Sequence, residues 1–447
     1  MRLGLKTLWA IAARLAPTVL LAFSLQALTV SAARAVPAFA VQTGQACQAC
    51  HVGGFGPQLT PFGRNFKLHG YTSRAGGFTL PISAMLEDSY VNTRKDQSPP
   101  PAPGYGGNNN FTLDQISLFV AGGLGDHLGA FIQTTYDGIA KAFTWDNVDV
   151  RAVTTTTIAG KDTVLGLSVN NNPTVQDAFN TVPAWSFPYA ASGLSPSPAA
   201  SPLIGNLAQT SLGVTAYAWI DNQFYIEFGG YESPTQRLLT QLGAAPSMSI
   251  QGFAPYGRVA WQKTLPNNSN MEIGAFVLDA GINPGLDTST GMRDHYTDLG
   301  LDASYQAFRD DKSVFTVNAR YTHEHQSLHA SQALEQAANV GQTLEDLRFD
   351  ASYYWHDRVG LTVGAFDTWG SSDDILYGGN VVPRPDSSGL LFQIDGTPFG
   401  GDGDKNPLGK RFNIRVGAQY TDYLSYNGLG RGASDNNTFR VFTWIAY

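Results

Sequence analysis

The sequence has only two cysteines and little charge, since Asp, Glu, Lys and Arg together make up 14% of its 447 residues. Two cysteines are too few for a disulfide framework. The 28 Lys and Arg residues are outnumbered by 36 Asp and Glu residues, and no basic stripe is present, so the composition argues against a nucleic-acid partner. An aromatic content of 12% within 43% hydrophobic residues argues against intrinsic disorder.

Long apolar runs are confined to the N-terminus. Residues 15–33 carry no charge and follow three basic residues. This pattern predicts a secretory signal peptide over residues 1–35, with small residues that permit cleavage near residue 35 or residue 40. An uncleaved anchor helix is the alternative, although Pro17 makes the run a poor membrane span. Because no later run is long enough for a spanning helix, further membrane contact has to come from strands.

A period of two dominates the remainder of the chain. From residue 78 onward, apolar and polar residues alternate in segments of roughly 9 to 15 residues bounded by Gly, Asn, Asp or Pro. One segment has Phe315, Val317, Ala319 and Tyr321 on one face and Thr316, Asn318, Arg320 and Thr322 on the other. Alternation of this kind gives each strand one polar and one apolar face. We count about sixteen segments, an even number of the kind that bacterial outer-membrane barrels have.

The sequence therefore predicts an all-β protein with a porin-like antiparallel barrel over residues 78–447, placed in the lipid of the cell outer membrane. Tight turns alternate with long connections, as expected for a barrel whose long loops face outward. The chain ends on Phe439, Val441, Ile445 and Tyr447 at period two, which resembles the closing strand of outer-membrane porins. A water-soluble β-sandwich or propeller, whose strands also alternate, is the alternative.

The connection predicted at residues 323–344 carries His323, His325 and His329 with Glu324. Imidazole and carboxylate groups suit Fe(II) or Cu(II), so a metal-capture site on the outer face is one hypothesis. The alternative is that the three histidines are solvated in a polar loop.

Residues 36–77, ahead of the barrel, contain the run Cys47-Gln48-Ala49-Cys50-His51. This spacing attaches a c-type haem, because two thiols add across the haem vinyl groups and the adjacent imidazole binds the iron. The alternatives are a thioredoxin-type redox pair or half of a zinc site, but the sequence lacks the helix-and-sheet pattern of the first and the second Cys/His pair of the other. We expect one covalently attached haem in a small plug, which is too short to build a core of its own.

The second axial ligand of that haem is left open by the sequence. His69 is one candidate, and its alternative role is an exposed polar residue ahead of a turn. Met85, on the first predicted strand, is another candidate. An open or water-filled position is the third.

Several arginines fall on the predicted polar faces of the strands, together with carboxylates. They are Arg258, Arg320, Arg348, Arg415 and Arg440 against Glu227, Glu272, Asp302 and Asp350. Since guanidinium binds carboxylate at two points, some of these arginines are candidates to hold the plug or the haem propionates. An ordinary charged porin lumen is the alternative.

Several stretches of the chain carry a family resemblance. They are Gln42-Thr43-Gly44, Cys47 to His51, Leu59 to Arg64, Phe66-Lys67-Leu68, Gly70-Tyr71-Thr72, Asn171 to Asp177, Pro183-Ala184-Trp185 and Phe187-Pro188-Tyr189. The stretches from Gln42 to Thr72 resemble the start of the fused outer-membrane cytochrome-porin family of iron-oxidising bacteria, and those from Asn171 to Tyr189 are similar to uncharacterised members of that wider group. The resemblance implies one haem within or under the barrel, attached at Cys47 and Cys50 with His51 as proximal ligand. It also implies electron transfer from extracellular ferrous iron to periplasmic cytochromes.

Two classes of function are consistent with the sequence. The first is electron transfer from an extracellular donor, with Fe(II) as the candidate, to a periplasmic c-type cytochrome or another acceptor. With Fe(II) as donor this would be a ferrous iron:cytochrome oxidoreductase activity. The second is a haem-plugged porin for transport or sensing of solutes or metals. A plug of about forty residues obstructs the pore and so favours the first class. No grouping of nucleophile, base and orienting residue suggests a hydrolase or transferase.

Overall fold

The computed structural model describes residues 37–77, 80–179, 187–309, 313–399 and 412–447, all within one compact unit. The predicted signal peptide lies outside the described residues. No helix in the described part of the chain is long and apolar enough to cross a membrane.

The described chain is built mainly from strands, with a few short helices. The strands are β1 Ile82–Thr93, β2 Asn110–Gly123, β3 Leu128–Asp137, β4 Ala142–Ile158, β5 Lys161–Asn170, β6 Leu212–Ile220, β7 Phe224–Glu232, β8 Met248–Ile250, β9 Ala254–Thr264, β10 Asn270–Pro284, β11 Asp294–Arg309, β12 Ser313–Ser327, β13 Gly341–Trp355, β14 Val359–Gly370, β15 Ser387–Gly396, β16 Asn413–Ser425 and β17 Thr438–Ala446. The α-helices are α1 Pro37–Thr43, α2 Cys47–Cys50, α3 Pro61–Leu68, α4 Pro173–Gln176, α5 Gln236–Gln241 and α6 His329–Ala333. Short 3-10 turns occupy Val52–Gly54, Leu203–Asn206 and Ala433–Asn436.

All strands except β8 form one closed antiparallel ring. Each pairs with its neighbours in chain order, and β1 pairs with β17 from Met85 opposite Ala446 to Thr93 opposite Thr438. The three-residue β8 pairs only with the outer end of β10, beyond β9. The predicted count is thereby confirmed, because sixteen strands remain in the ring when β8 is left out.

The distribution of polar and apolar side chains is inverted relative to a water-soluble protein. On β12, Thr316, Arg320 and Glu324 point inward and are buried, whereas Phe315 and Tyr321 point outward and are more than a third exposed. Large exposed hydrophobic residues recur on the outer face of strands all around the ring. A closed ring with this outer surface is an outer-membrane β-barrel, because lipid covers the apolar face and closure leaves no unpaired strand edge. The predicted β-barrel is therefore confirmed against the β-sandwich alternative.

The connections follow the expected alternation with two differences. Tight turns such as residues 124–127 and 221–223 lie at the end from which the chain enters β1, and most long connections lie at the other end. The connection between β3 and β4, at residues 138–141, is short although it belongs to the long-loop end. The connection after β15 is long although it belongs to the tight-turn end, and most of it lies outside the described residues.

The segment before β1 folds as a plug inside the tight-turn end of the barrel. Helix α3 begins after Thr60, whose hydroxyl accepts a hydrogen bond from the Gly63 amide at 3.2 Å, and Pro61 occupies its first turn. The plug reaches several sides of the wall. Its wall contacts include Gln306 Nε2 to the Leu59 carbonyl at 3.0 Å, Arg64 Nη1 to Gln262 Oε1 at 2.8 Å and Tyr217 Oη to the Leu68 carbonyl at 2.7 Å.

The connection between β5 and β6 turns inward. The sequence predicts an outer loop here, but Val175, Ala178 and Phe179 are buried in the lumen, and so are Leu203 and Ile204. The amides of Leu203 and Ile204 donate to the inward carboxyl groups of Glu324 and Asp298. This inward connection, residues 171–211 with 180–186 outside the described part, is called the lumen insert below.

Two outer loops are joined by one carboxylate. Asp373 is 1% exposed and accepts hydrogen bonds from the amides of Ala338, Asn339, Ile375 and Leu376 and from Gln342 Nε2. Burial by itself raises the pKa of Asp373, but the backbone amide donors outweigh that effect and leave the pKa below its usual value.

We predict that Asp373→Ala loosens both loops, because the buried amides lose their acceptor at a cost of about 1–3 kcal/mol. Hydrogen exchange at Ala338 and Asn339 should accelerate, while the exposed neighbour variant Asp374→Ala should leave it unchanged. Because the pKa of Asp373 is lower in the folded protein than in the unfolded chain, its carboxylate stabilises the folded loops at pH values above the unfolded pKa. This stabilisation is lost as the pH falls through the folded-state pKa. Unchanged exchange in Asp373→Ala would contradict this assignment.

Candidate functional site

The motif residues line a cleft between the plug and the barrel wall. The cleft has a volume of about 740 Å³, counting its open mouth, and its walls are mainly apolar. Its lining includes Cys47, Cys50, His51, Phe39, Leu59, Phe66, Tyr71 and Phe131. The structure therefore brings both thiols and the imidazole of the motif to one cavity.

The local fold explains how these three side chains converge. Cys47 and Cys50 are the ends of the single helical turn α2, so their side chains lie on one face. The His51 amide donates to the Cys47 carbonyl at 2.9 Å, and the Thr60 amide donates to the Cys50 carbonyl at 2.9 Å. Helix α3 packs so closely on α2 that a Cβ at Gly63 would lie 2.3 Å from the Cys50 carbonyl oxygen. Only glycine fits at this crossing.

The thiols have little nucleophilic character by themselves. Burial raises the pKa of Cys47 to about 11 and that of Cys50 to about 12. A thioredoxin-type redox pair needs a thiolate with a lowered pKa, so the environment argues against that alternative.

His51 is held as a neutral imidazole. Burial lowers its pKa to about 4; the Gly56 carbonyl raises it and the nearby charge of Arg415 lowers it by smaller amounts. Its Nδ1 is buried without a hydrogen bond of ordinary geometry. Neutral imidazole is the form that binds a metal.

These features fit a covalently attached haem. The cavity is lined by aromatic and aliphatic groups with few polar atoms, as cofactor sites commonly are. Cys47 and Cys50 would form the thioether links, and His51 would be the proximal iron ligand.

The structure places both candidate distal ligands away from the cleft. His69 caps the C-terminal end of α3, with Nδ1 2.8 Å from the Asn65 carbonyl, and it faces a separate cleft beside Trp219. Met85 packs against the cluster that contains Phe55 and Trp444. Neither residue lines the motif cleft, and His51 is the only imidazole among its lining residues. Both side-chain candidates therefore lie outside the lining of the cleft, and the second axial ligand stays a prediction.

The lumen arginines are held by carboxylates of the wall and the lumen insert. Arg258 contacts Asp177, Glu272 and Asp302, Arg320 and Arg348 share Asp346, and Arg440 contacts Glu87 and Asp114. Arg415 pairs with Asp395 and also donates to the Phe55 carbonyl of the plug at 3.0 Å. None of the five arginines lines the motif cleft, so none is placed to hold haem propionates there. The other predicted role, holding the plug, has a contact, which Arg415 makes.

The three histidines of the metal-capture hypothesis lie in different surroundings. β12 extends to Ser327, so His323 and His325 belong to the strand and point outward, whereas Glu324 between them points inward. His329 is exposed at the start of α6. No group of three His, Cys, Asp or Glu side chains in the described part of the chain is arranged to hold a metal ion.

Lys67 is a site residue that the sequence did not single out. It lines the cleft, is buried, and its Nζ donates to the carbonyls of Val175 and Asp177 in the lumen insert, the second at 3.1 Å. Burial lowers the pKa of Lys67 to about 8. The available signal was a lysine between the apolar residues Phe66 and Leu68.

No family model and no curated protein matches the chain. Among solved structures it is similar to in-vitro folded OmpT, an outer membrane protein of Vibrio cholerae, at 8% identity and a TM-score of 0.45 over 83% of this chain and 99% of that one. The outer membrane channel DcaP of Acinetobacter baumannii has 11% identity and a TM-score of 0.44, over 85% of this chain and 99% of that one. An anion-selective porin from Comamonas acidovorans has 12% identity and a TM-score of 0.45, over 82% of this chain and 98% of that one. The barrel assignment rests on the strand pairing and not on these likenesses.

We predict that the double variant Cys47→Ser, Cys50→Ser loses covalent haem, because no thioether link remains. Mass spectrometry of the denatured exported protein should show the mass of the bare chain. Gln48→Ser, in the same helical turn, should keep the adduct. A haem adduct that survives in the double variant would contradict the assignment.

We also predict that Arg415→Met loosens the plug beside His51. Removing one partner of a buried ion pair costs about 3–5 kcal/mol, and here the plug carbonyls lose their donor as well. Hydrogen exchange across residues 51–60 should accelerate. Arg348→Met is the matched control, because Arg348 is more exposed and Asp346 keeps Arg320 as a partner. Equal exchange in the two variants would refute the role of Arg415.

Proposed function

We propose that the protein carries electrons across the outer membrane by means of a c-type haem held in the motif cleft. The observation that carries the proposal is the convergence of Cys47, Cys50 and His51 on an apolar cavity inside a membrane barrel. When bound, a haem supplies a reversible one-electron couple at its iron.

The residues of the chain have distinct roles in this proposal. The thiols tether the group so that it cannot leave the open mouth of the cleft. His51 is neutral and buried, and therefore available as a ligand. The aromatic side chains Phe39, Phe66 and Phe131 make the lining of the cavity apolar, and a low-polarity surrounding is one of the factors that set a haem potential.

The filled lumen favours electron transfer over passage of solutes. The plug blocks the tight-turn end, and the lumen insert descends from the opposite end until it meets the plug. Leu68 of the plug shares a buried cluster with Ala178 and Phe179 of the insert, and Lys67 hydrogen-bonds its backbone. An electron can cross such a packed interior, whereas a solute needs a continuous aqueous path.

A haem-plugged porin is the second candidate, favoured by one cavity. Its volume is about 930 Å³, counting its mouth, and Glu87, Asp114, Asp137 and Tyr189 are among the residues that line it. It lies along β1 to β3 below the outer loops and leaves part of the lumen unfilled. A transport role needs this cavity to continue past the plug.

The proposed direction of transfer comes from the resemblance to the cytochrome-porin family. The long loops lie at the outer end and the plug lies at the end that faces the periplasm. The resemblance implies an extracellular donor at the first end, with ferrous iron as a candidate, and a periplasmic c-type cytochrome or another soluble carrier as acceptor at the second. With that pair of partners the activity is that of a ferrous iron:cytochrome oxidoreductase.

We predict that a membrane-impermeant reductant added to intact cells reduces the haem of the wild-type protein. The reduced haem band should appear in wild-type cells and be absent in the Cys47→Ser, Cys50→Ser variant. Reduction by permeant reductants alone would contradict transmembrane electron transfer. In planar bilayers the wild-type protein should conduct far less than an open porin, and porin-sized conductance would favour the second candidate.

A further inference from the structure

A column of buried tyrosines leads from the motif cleft into the outer half of the lumen. Its members are Tyr71, Tyr217, Tyr225, Tyr256 and Tyr231, all less than 5% exposed. Tyr71 lines the cleft, where its ring stacks on Phe39 with centroids 5.1 Å apart.

Most successive members of the column are in contact. The Arg151 guanidinium lies 5.9 Å from the Tyr71 ring and 5.2 Å from the Tyr217 ring, so it bridges the two. The Tyr217 and Tyr225 rings are 5.8 Å apart, as are those of Tyr231 and Tyr256. The step from Tyr225 to Tyr256 is longer, because the register of β7 and β9 places Tyr256 opposite Gly229, four residues along β7 from Tyr225.

The column extends along part of the height of the barrel wall. Tyr225 is the second residue of β7 after the tight turn, and Tyr231 is the second from its outer end. Six residues correspond to about 20 Å along the strand, and a strand tilt of roughly 40° reduces this to about 15 Å along the membrane normal, against an apolar membrane band of about 25 Å.

Two of the five hydroxyl groups donate to a carboxylate that can take up a proton, whereas Tyr217 donates to the Leu68 carbonyl and Tyr231 to Asn170 Oδ1. Tyr71 donates to Asp149 Oδ2 at 2.5 Å, and Tyr225 donates to Glu227 Oε2 at 2.9 Å. Loss of an electron from a phenol makes its proton strongly acidic, so an adjacent carboxylate is what a redox-active tyrosine needs. Space filling alone would be served equally well by phenylalanine.

We propose that these five tyrosines form a one-electron relay between the outer half of the lumen and the motif cleft. The inference rests on the proposed function, because it needs a haem in the cleft. Hydrogen peroxide is a suitable test oxidant, since it withdraws electrons more strongly than a resting ferric haem. Its O–O bond breaks as it takes two electrons from the holoprotein and two protons from solvent, giving two molecules of water. Tyr71 and Tyr225 each supply one electron and pass the phenolic proton to Asp149 and Glu227, leaving two tyrosyl radicals.

The test is freeze-quench electron paramagnetic resonance of the full haem-loaded protein in detergent after addition of hydrogen peroxide. The wild-type protein should give a tyrosyl radical, and Tyr71→Phe should lose most of that signal because the first member of the column is then redox-inert. Tyr217→Phe, which leaves the cleft lining intact, should retain a radical at Tyr71 but lose the radical signal of the tyrosines beyond Tyr217. Tyr423→Phe is the matched control, a buried phenol whose ring packs on Phe366 outside the column, and it should behave as the wild type.

The outcomes separate this inference from the function on which it rests. Normal haem absorption with a radical yield unaffected by Tyr71→Phe and Tyr217→Phe would overturn the relay and leave the proposed function standing. A wild-type protein that carries no haem would overturn both. An equal loss of radical in Tyr423→Phe would also overturn the relay, because the effect would then not belong to the column.

Discussion

The inversion of polarity imposed by lipid is the constraint on which the rest of the structure depends. Because the outer face of every strand must be apolar, the polar and charged side chains are directed into the lumen. There they are buried by the plug and the lumen insert and need partners. Arg151 meets Asp149 with both side chains fully buried, and Arg258 meets Asp302 in the same way. Pairing at such depth is required, because an isolated buried charge is far more costly than a pair.

The same pairs that neutralise the wall also position what lies inside it. Arg258 reaches from the wall to Asp177 in the lumen insert, and Arg415 reaches from the wall to the plug carbonyls around Phe55. The plug has three short helices and is too short to build a core of its own, so its core is completed by barrel side chains. Trp444 packs edge-on against Phe55 with ring centroids 5.0 Å apart. The motif cleft is therefore a product of the plug and the barrel together.

Strand periodicity carried most of the fold prediction. The alternation of Phe315, Val317 and Tyr321 with polar residues depends only on the geometry of an extended chain, and the observed β12 has that register. The ends of strands were less predictable. His323 and His325 continue the alternation, yet polar residues in both registers made them look like a loop. The inward turn of the lumen insert was not predicted, because Val175 and Phe179 stand in a polar connection that shows no regular alternation of apolar and polar residues.

The sequence by itself determined the export signal pattern, the number and alternation of strands, and the haem-type spacing of Cys47, Cys50 and His51, because each depends on residues close together in the chain. Only the tertiary structure decided which distant groups meet. It placed His69 and Met85 outside the cleft, put Lys67 against the lumen insert, and aligned Tyr71 with Tyr217 and Tyr225. Those contacts depend on how the ring of strands closes and on which segments fill the lumen. Neither can be predicted from residues that are close together in the sequence.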